Sequence, residues 1–229
     1  MHPSNSGIES PPGASGETEI SAASPIEALS ALRRFASARP AAERCELCGT
    51  GLNPEHQHLL DRKSRQAACA CDACAILFCN QQGSKFLRIP RRLLRLEGFC
   101  FTDLQWEAMM LPIHLAFFLR QAGGETTAMY PSPAGAMESL IALPKWEELF
   151  GSSGVLSRVE PEVEALLVNR IGDRAMHFIV PIDACYQLIG VIRTKWRGLS
   201  GGAEVWQAIA DYFAGLERRA TRVAEATHA

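Results

Sequence analysis

The residues with the clearest chemical potential are cysteines and histidines crowded into residues 45–78, CELCGTGLNPEHQHLLDRKSRQAACACDACAILF. Two pairs have the spacing CxxC, Cys45 with Cys48 and Cys71 with Cys74, and 22 residues separate the pairs. Such an array is typical of a tetrahedral site in which four thiolates bind one metal ion, although the familiar separation is about 15–20 residues. The sequence therefore predicts a metal site formed by these four cysteines.

Further soft ligands in the same segment leave the composition of the site open. Four other residues lie close enough in sequence to compete as ligands: Cys69, Cys79, His56 and His58. The alternatives that remain are sets in which Cys69, His56 or His58 replaces one of the four cysteines. Zinc is the favoured ion because closed four-thiolate sites are usually zinc sites, but a single iron of the rubredoxin type would use the same ligands.

The two histidines also invite comparison with metal-dependent nucleases of the HNH type, which carry a histidine motif on a treble-clef scaffold. That chemistry needs further Asn and His ligands on the following helix, where the sequence offers only Asn80. We therefore predict that His56 and His58, alternate residues on one strand face, pack or hydrogen-bond beside the metal.

Short elements around the cysteines must bring the two pairs together. The residues between the pairs can form a hairpin, and CDACAILF can begin a helix. The second pair would then lie at a helix N-terminus, where backbone N–H groups and the helix dipole stabilise thiolates. Gly49 can relieve the tight turn after the first pair by adopting a left-handed conformation. These features predict a small treble-clef or zinc-ribbon-like module, whose folding depends on its metal because it buries little apolar surface.

The remainder of the chain predicts an α+β domain with an antiparallel sheet. The apolar run 113–119 indicates a buried strand, two apolar runs around Gly172 and Asp173 indicate a hairpin over 163–182, and helical periodicity follows over 183–196 and after residue 202. The predicted division of the chain is a disordered tail 1–23, a helix and linker 24–42, a zinc-binding module 43–82, the α+β domain 83–218 and a frayed tail 219–229.

The charge of the chain limits the kinds of partner that it attracts. It has 23 basic and 25 acidic residues, so its overall charge does not attract nucleic acid. The predicted partner-binding surface is a local basic strip formed by Arg88, Arg91 and Arg92. The apolar stretch 109–119 is too short to cross a bilayer, and the N-terminus lacks a secretory pattern, so we expect a cytoplasmic protein. The HExxH motif is absent from the sequence, and the small-residue loop RGLSGG at 197–202 is interpreted as a turn before a helix, which favours a non-enzymatic role.

Several segments, among them CELCG, EHQHLLD, CACDACAILF, KFLRIPRR and VPIDACYQLIGVIR, resemble an uncharacterised bacterial family, a domain of unknown function. The resemblance spans about residues 43–216. Its members tend to be encoded among the genes of actinobacterial-type uptake [NiFe]-hydrogenases, which implies a hydrogenase subunit or accessory protein as partner. The resemblance implies no catalytic residues.

Three functions follow as hypotheses. The first is a non-enzymatic zinc-binding accessory protein that binds a partner protein in the assembly or function of a hydrogenase. The second is a rubredoxin-like iron electron carrier for a hydrogenase. The third is a nucleic-acid-binding zinc protein that uses the basic strip, and it would show steeply salt-dependent binding.

Overall fold

The computed structural model describes residues 43–79, 83–172, 174–198 and 200–225. The predicted tail 1–23 and the predicted helix and linker 24–42 lie outside the described residues. The chain from Glu43 onward forms one compact unit.

A three-stranded antiparallel sheet and one helix surround the cysteine-rich segment. The strands are β1 (Gln57–Asp61), β2 (Ala67–Ala70) and β3 (Phe86–Arg88), in the order β2-β1-β3, and α1 (Asp72–Cys79) follows β2. The predicted hairpin and helix are both present. The predicted module boundary at residue 82 is wrong, because β3 pairs with β1 and so belongs to the small sheet.

A seven-stranded sheet forms the larger part of the molecule. Its strands run in the order β10-β4-β9-β8-β5-β6-β7, and every pair of neighbours is antiparallel except β10 and β4. The strands are β4 (Leu94–Glu97), β5 (Leu115–Arg120), β6 (Thr126–Ser132), β7 (Gly135–Glu138), β8 (Glu164–Asn169), β9 (Met176–Pro181) and β10 (Thr221–Ala224). The predicted α+β class with antiparallel sheets is confirmed.

Helices cover both faces of the large sheet. They are α2 (Asp103–Ala108), α3 (Trp146–Phe150), α4 (Ile182–Lys195) and α5 (Gly202–Arg219), with a short 3-10 helix at Leu156–Arg158. The interior strand β5 alternates between two cores, so that Phe117 packs with the apolar residues of α4 and α5 while Phe118 packs with those of α2 and α3. Because both faces are buried, β5 is apolar from Leu115 to Leu119, as its sequence predicted.

Two local predictions are corrected. The hairpin over 163–182 exists, but Asn169 pairs with Met176, so six residues connect the strands and Gly172 lies inside a longer loop than a two-residue turn. The predicted fraying of 219–229 is wrong for Thr221–Ala224, which pairs in parallel with β4. A four-residue edge strand carries too little periodicity to be recognised in the sequence.

β1 joins the small sheet to the large core. Leu59 and Leu60 are both fully buried, yet Leu59 packs against the cysteine-bearing elements and Leu60 packs into the core beneath α4 and α5. Successive residues of a strand point to opposite faces, so one strand serves both cores. The cysteine-rich module is therefore built onto the α+β domain and is not a separate domain.

Candidate metal centre

The four predicted cysteine ligands converge on one point. One sulfur from each of Cys45, Cys48, Cys71 and Cys74 lies within 4.8 Å of the others. The Sγ atoms of Cys48 and Cys71 are 3.8 Å apart. A tetrahedral zinc ion with Zn–S bonds of about 2.3 Å separates its sulfurs by roughly 3.8 Å. The distance between the Cys48 and Cys71 sulfurs therefore matches that of two thiolates on one tetrahedral ion, while a disulfide would need about 2.05 Å.

The first pair is shaped by its own backbone. The N–H of Cys45 donates to the carbonyl of Thr50, and the N–H of Gly49 donates back to the carbonyl of Cys45, both at 2.8 Å. This closed turn requires a left-handed residue, and Gly49 has φ +76° as predicted. Glu46 attaches the turn to β2, because its N–H donates to the carbonyl of Cys69 at 2.9 Å and its carboxylate accepts from the Cys69 N–H at 2.8 Å.

The second pair lies at the start of α1. Cys71 immediately precedes the helix and Cys74 is in its first turn, where the N–H of Cys74 approaches the Cys71 sulfur at 3.5 Å. Cys74 is buried and Cys48 is exposed, so the cluster reaches from the small core to the surface. This arrangement matches the predicted position of the second pair at a helix N-terminus.

The sulfurs of the cluster cannot all ionise without a cation. Burial raises the pKa of Cys45, but backbone N–H groups, first that of Cys71, donate to its sulfur and together lower the pKa to about 6. Burial, reinforced by the neighbouring sulfurs, raises the pKa of Cys74 to about 12. One thiolate is thus stabilised at the expense of another, and a divalent ion would relieve this competition. The donor set suits zinc and a single iron equally.

The predicted alternates form a group of their own. His56, His58 and Cys69 each offer one ligand atom, and these three atoms lie within 4.8 Å of one another. The structure therefore sorts the candidate ligands into a four-cysteine cluster and a separate His-His-Cys group. The prediction that the histidines form hydrogen bonds is correct, since His58 Nδ1 contacts the carboxylate of Asp183.

Asp183 is the residue of this region that the sequence did not reveal. It was predicted only as the start of a helix, and it does lie in the first turn of α4. Its carboxylate raises the pKa of His58 through a hydrogen bond across 125 positions of sequence. A contact between residues so far apart leaves no local signal in the sequence.

The arginines of the basic strip form contacts within the chain. Arg92 forms a two-pronged ion pair with the fully buried carboxylate of Glu164, at 2.5 and 2.6 Å, and its role in partner binding stays a prediction. Arg88 donates to the side chain of Gln57 at 3.0 Å, and Arg91 donates to the carbonyl of His56. Both remaining arginines thus line the small sheet at the surface.

Within the part of the chain that the structure describes, no helix is long and apolar enough to span a bilayer.

Comparisons with known proteins agree with the predicted resemblance at the level of the family. Comparison with curated proteins and with solved structures finds no match. The sequence model of one family covers residues 44–220, which include both ligand groups and nearly all of the large sheet. The chain therefore belongs to the family of unknown function DUF5947.

Proposed function

We propose that this chain is a zinc-binding accessory protein that binds a partner protein through the outer face of α1. The observation that carries the proposal is a run of three exposed apolar residues on the helix that follows the second cysteine pair. Ile76, Leu77 and Phe78 are 58%, 65% and 46% exposed. Contiguous apolar surface of this kind is characteristic of protein–protein contacts.

A groove beside the helix extends this surface. It has a volume of about 500 Å³, and its lining includes Ile76, Leu87, Pro161 and Val163. Arg88 lies at the same groove and supplies a charge at its edge. An apolar segment of a partner protein would cover both the helix face and the groove.

The four-cysteine cluster would serve this surface by ordering α1. Zinc bound by four thiolates has no free coordination position, so its contribution is structural. The helix has only eight residues, which is too short to be stable alone in water. The family resemblance directs the choice of partner to a [NiFe]-hydrogenase subunit or one of its accessory proteins.

Copurification from the native host, with metal analysis of the same sample, tests this proposal. The variant Leu77→Glu should lose the captured partner and keep the zinc of the four-cysteine cluster. Leu104→Glu is the matched control, because Leu104 is 78% exposed on α2, which packs on the large sheet and carries none of the candidate ligands. Capture of the same partner by Leu77→Glu at the wild-type level would contradict the proposal.

One observation favours the electron carrier as a second candidate. Cys48 is exposed, so an iron ion in the cluster would lie near the surface, where electron transfer to another protein is fast. A ferric tetrathiolate centre is red, and reversible one-electron reduction of a coloured sample would favour this candidate. A colourless sample with zinc in the four-cysteine cluster would exclude it.

A further inference from the structure

The His-His-Cys group is placed by strand geometry. His58 lies in β1 and His56 immediately precedes the strand, and Cys69 lies directly opposite His58 in the register of β1 and β2. Residues paired in this way project from the same face of a sheet. Leu60 shares that face and packs into the large core, whereas the four-cysteine cluster packs with Leu59 on the opposite face.

Hydrogen bonds set the proton positions of both imidazoles. Nδ1 of His56 lies 2.9 Å from the carbonyl oxygen of Asn53 and 3.4 Å from a carboxylate oxygen of Glu43. Nδ1 of His58 contacts a carboxylate oxygen of Asp183. Carbonyl and carboxylate oxygens accept hydrogen bonds, so each Nδ1 carries a proton and each neutral ring presents an unprotonated Nε2.

The two Nε2 atoms face each other at 3.1 Å. Two unprotonated acceptors at this distance repel unless a positive charge lies between them. The side chain of His56 is only 7% exposed, whereas that of His58 is 31% exposed, so water reaches this pair from the His58 side only. Two nitrogens bound to one tetrahedral ion at about 2.0–2.1 Å are separated by roughly 3.3 Å, close to the observed distance.

We propose that His56, His58 and Cys69 bind a second divalent transition-metal ion, of which Zn²⁺ is the natural probe. Two imidazoles and one thiolate are ligands of matching softness for such an ion. The contact between His58 and Asp183 is the carboxylate–histidine arrangement that orients metal-binding imidazoles. The site is distinct from the four-cysteine cluster and does not depend on partner binding.

Three protein ligands leave one position of a tetrahedral ion free. An open groove of about 430 Å³ runs along both histidines and is also lined by Arg91 and Arg219. Solvent or a small anion can approach the ion from this side, where Glu55 and Asp183 line the groove together with the two arginines. The second site therefore has the coordination of a reactive centre, in contrast to the closed four-cysteine cluster.

Metal stoichiometry tests the proposal directly. The full chain, prepared without an affinity tag, is saturated with Zn²⁺ and passed through a desalting column, and bound metal is measured by elemental analysis. We expect about two ions per wild-type chain and about one in Cys69→Ser, with native resistance to proteolysis in both. Cys79→Ser is the matched control and should keep two, because Cys79 belongs to neither group.

A second variant keeps the test valid if Cys69→Ser fails to fold. His56→Gln should also hold one ion, and replacing Zn²⁺ by Co²⁺ should leave only the absorption bands of the four-thiolate site in either variant. A folded wild-type chain that holds a single ion at saturating Zn²⁺, or variants that retain the second ion, would overturn the proposal. In that case a shared proton, rather than a metal, joins the two imidazoles.

The free coordination position has its own test. Azide added to the Co²⁺ form of the wild-type chain should shift the absorption bands that Cys69→Ser removes and leave the four-thiolate bands unchanged. Bands that are insensitive to azide at concentrations of tens of millimolar would show that the second ion has no open position.

Discussion

The two faces of the small sheet carry ligand groups that are built in different ways. The four cysteines come from two short turns, each of which places its own pair, and they need only a hairpin to meet. The His-His-Cys group depends on the register of β1 and β2 and on Asp183, which is 125 positions from His58. A local motif therefore fixes the closed site, whereas the site that is open on one side is assembled by the whole fold.

The largest effect is expected from Cys71→Ser. Loss of one thiolate should release the ion of the four-cysteine cluster and unfold the small sheet with α1, because structural zinc supplies roughly 10 kcal/mol or more to such modules. The His-His-Cys group should be lost with it, since β1 and β2 carry those ligands.

Elemental analysis and limited proteolysis test whether Cys71→Ser and Cys69→Ser differ in the number of ions that they lose. Cys71→Ser should lose both ions, whereas Cys69→Ser loses one. Full metal content and native protease resistance in Cys71→Ser would contradict the ligand set. Replacement of Cys185, which is buried among the residues of α4, should leave the metal content unchanged.

The next largest effects are expected from the two buried leucines on opposite faces of β1. Leu60→Ala should lower the free energy of global unfolding by about 2–5 kcal/mol, because it leaves a cavity in the large core. Leu59→Ala should cost a similar amount, but the loss should appear as easier release of the four-cysteine ion and local proteolysis. Denaturant unfolding alongside chelator-induced metal loss distinguishes these outcomes. Identical behaviour of the two variants would show that the faces are not energetically distinct.

A smaller effect is expected from Asp183→Asn. The amide cannot match the carboxylate in orienting His58, so affinity for the second ion should fall by about 10–100-fold. Zn²⁺ titration calorimetry of protein that already holds the four-cysteine ion measures this change. Asp211→Asn, on the exposed surface of α5, is a control that should leave both ions unaffected. Unchanged affinity in Asp183→Asn would remove this residue from the site.

The smallest effect is expected in the turn that follows the first cysteine pair. Gly49→Ala should destabilise the turn by about 1 kcal/mol, because φ is +76° and an added Cβ meets no neighbour, so only conformational strain contributes. Gly51→Ala is the matched control, since Gly51 has no positive φ and also has open space around it. The measurement is the rate of Zn²⁺ transfer to a chelator, about five-fold faster in Gly49→Ala. Equal rates in the two variants would argue against the strain.

Prediction from the sequence succeeded where a short segment specifies its own structure. The helix α4 was expected from apolar spacing, and β5 from an apolar run of strand length. The sequence did not reveal the ion pair of Arg92, because a surface arginine and one paired with the buried Glu164 have the same local sequence pattern. Prediction failed at β10, whose pairing with β4 joins distant parts of the chain.

The sequence by itself determined the four-cysteine cluster, the antiparallel character of the chain and the left-handed turn at Gly49. Each of these depends on ligand spacing, hydrophobic periodicity or the conformational freedom of one residue, which are properties of neighbouring positions. Only the tertiary structure separated His56, His58 and Cys69 from the cluster and brought Asp183 to them. The physical reason is that strand register and helix packing decide which distant side chains share a face, and they are set by burial of the whole core.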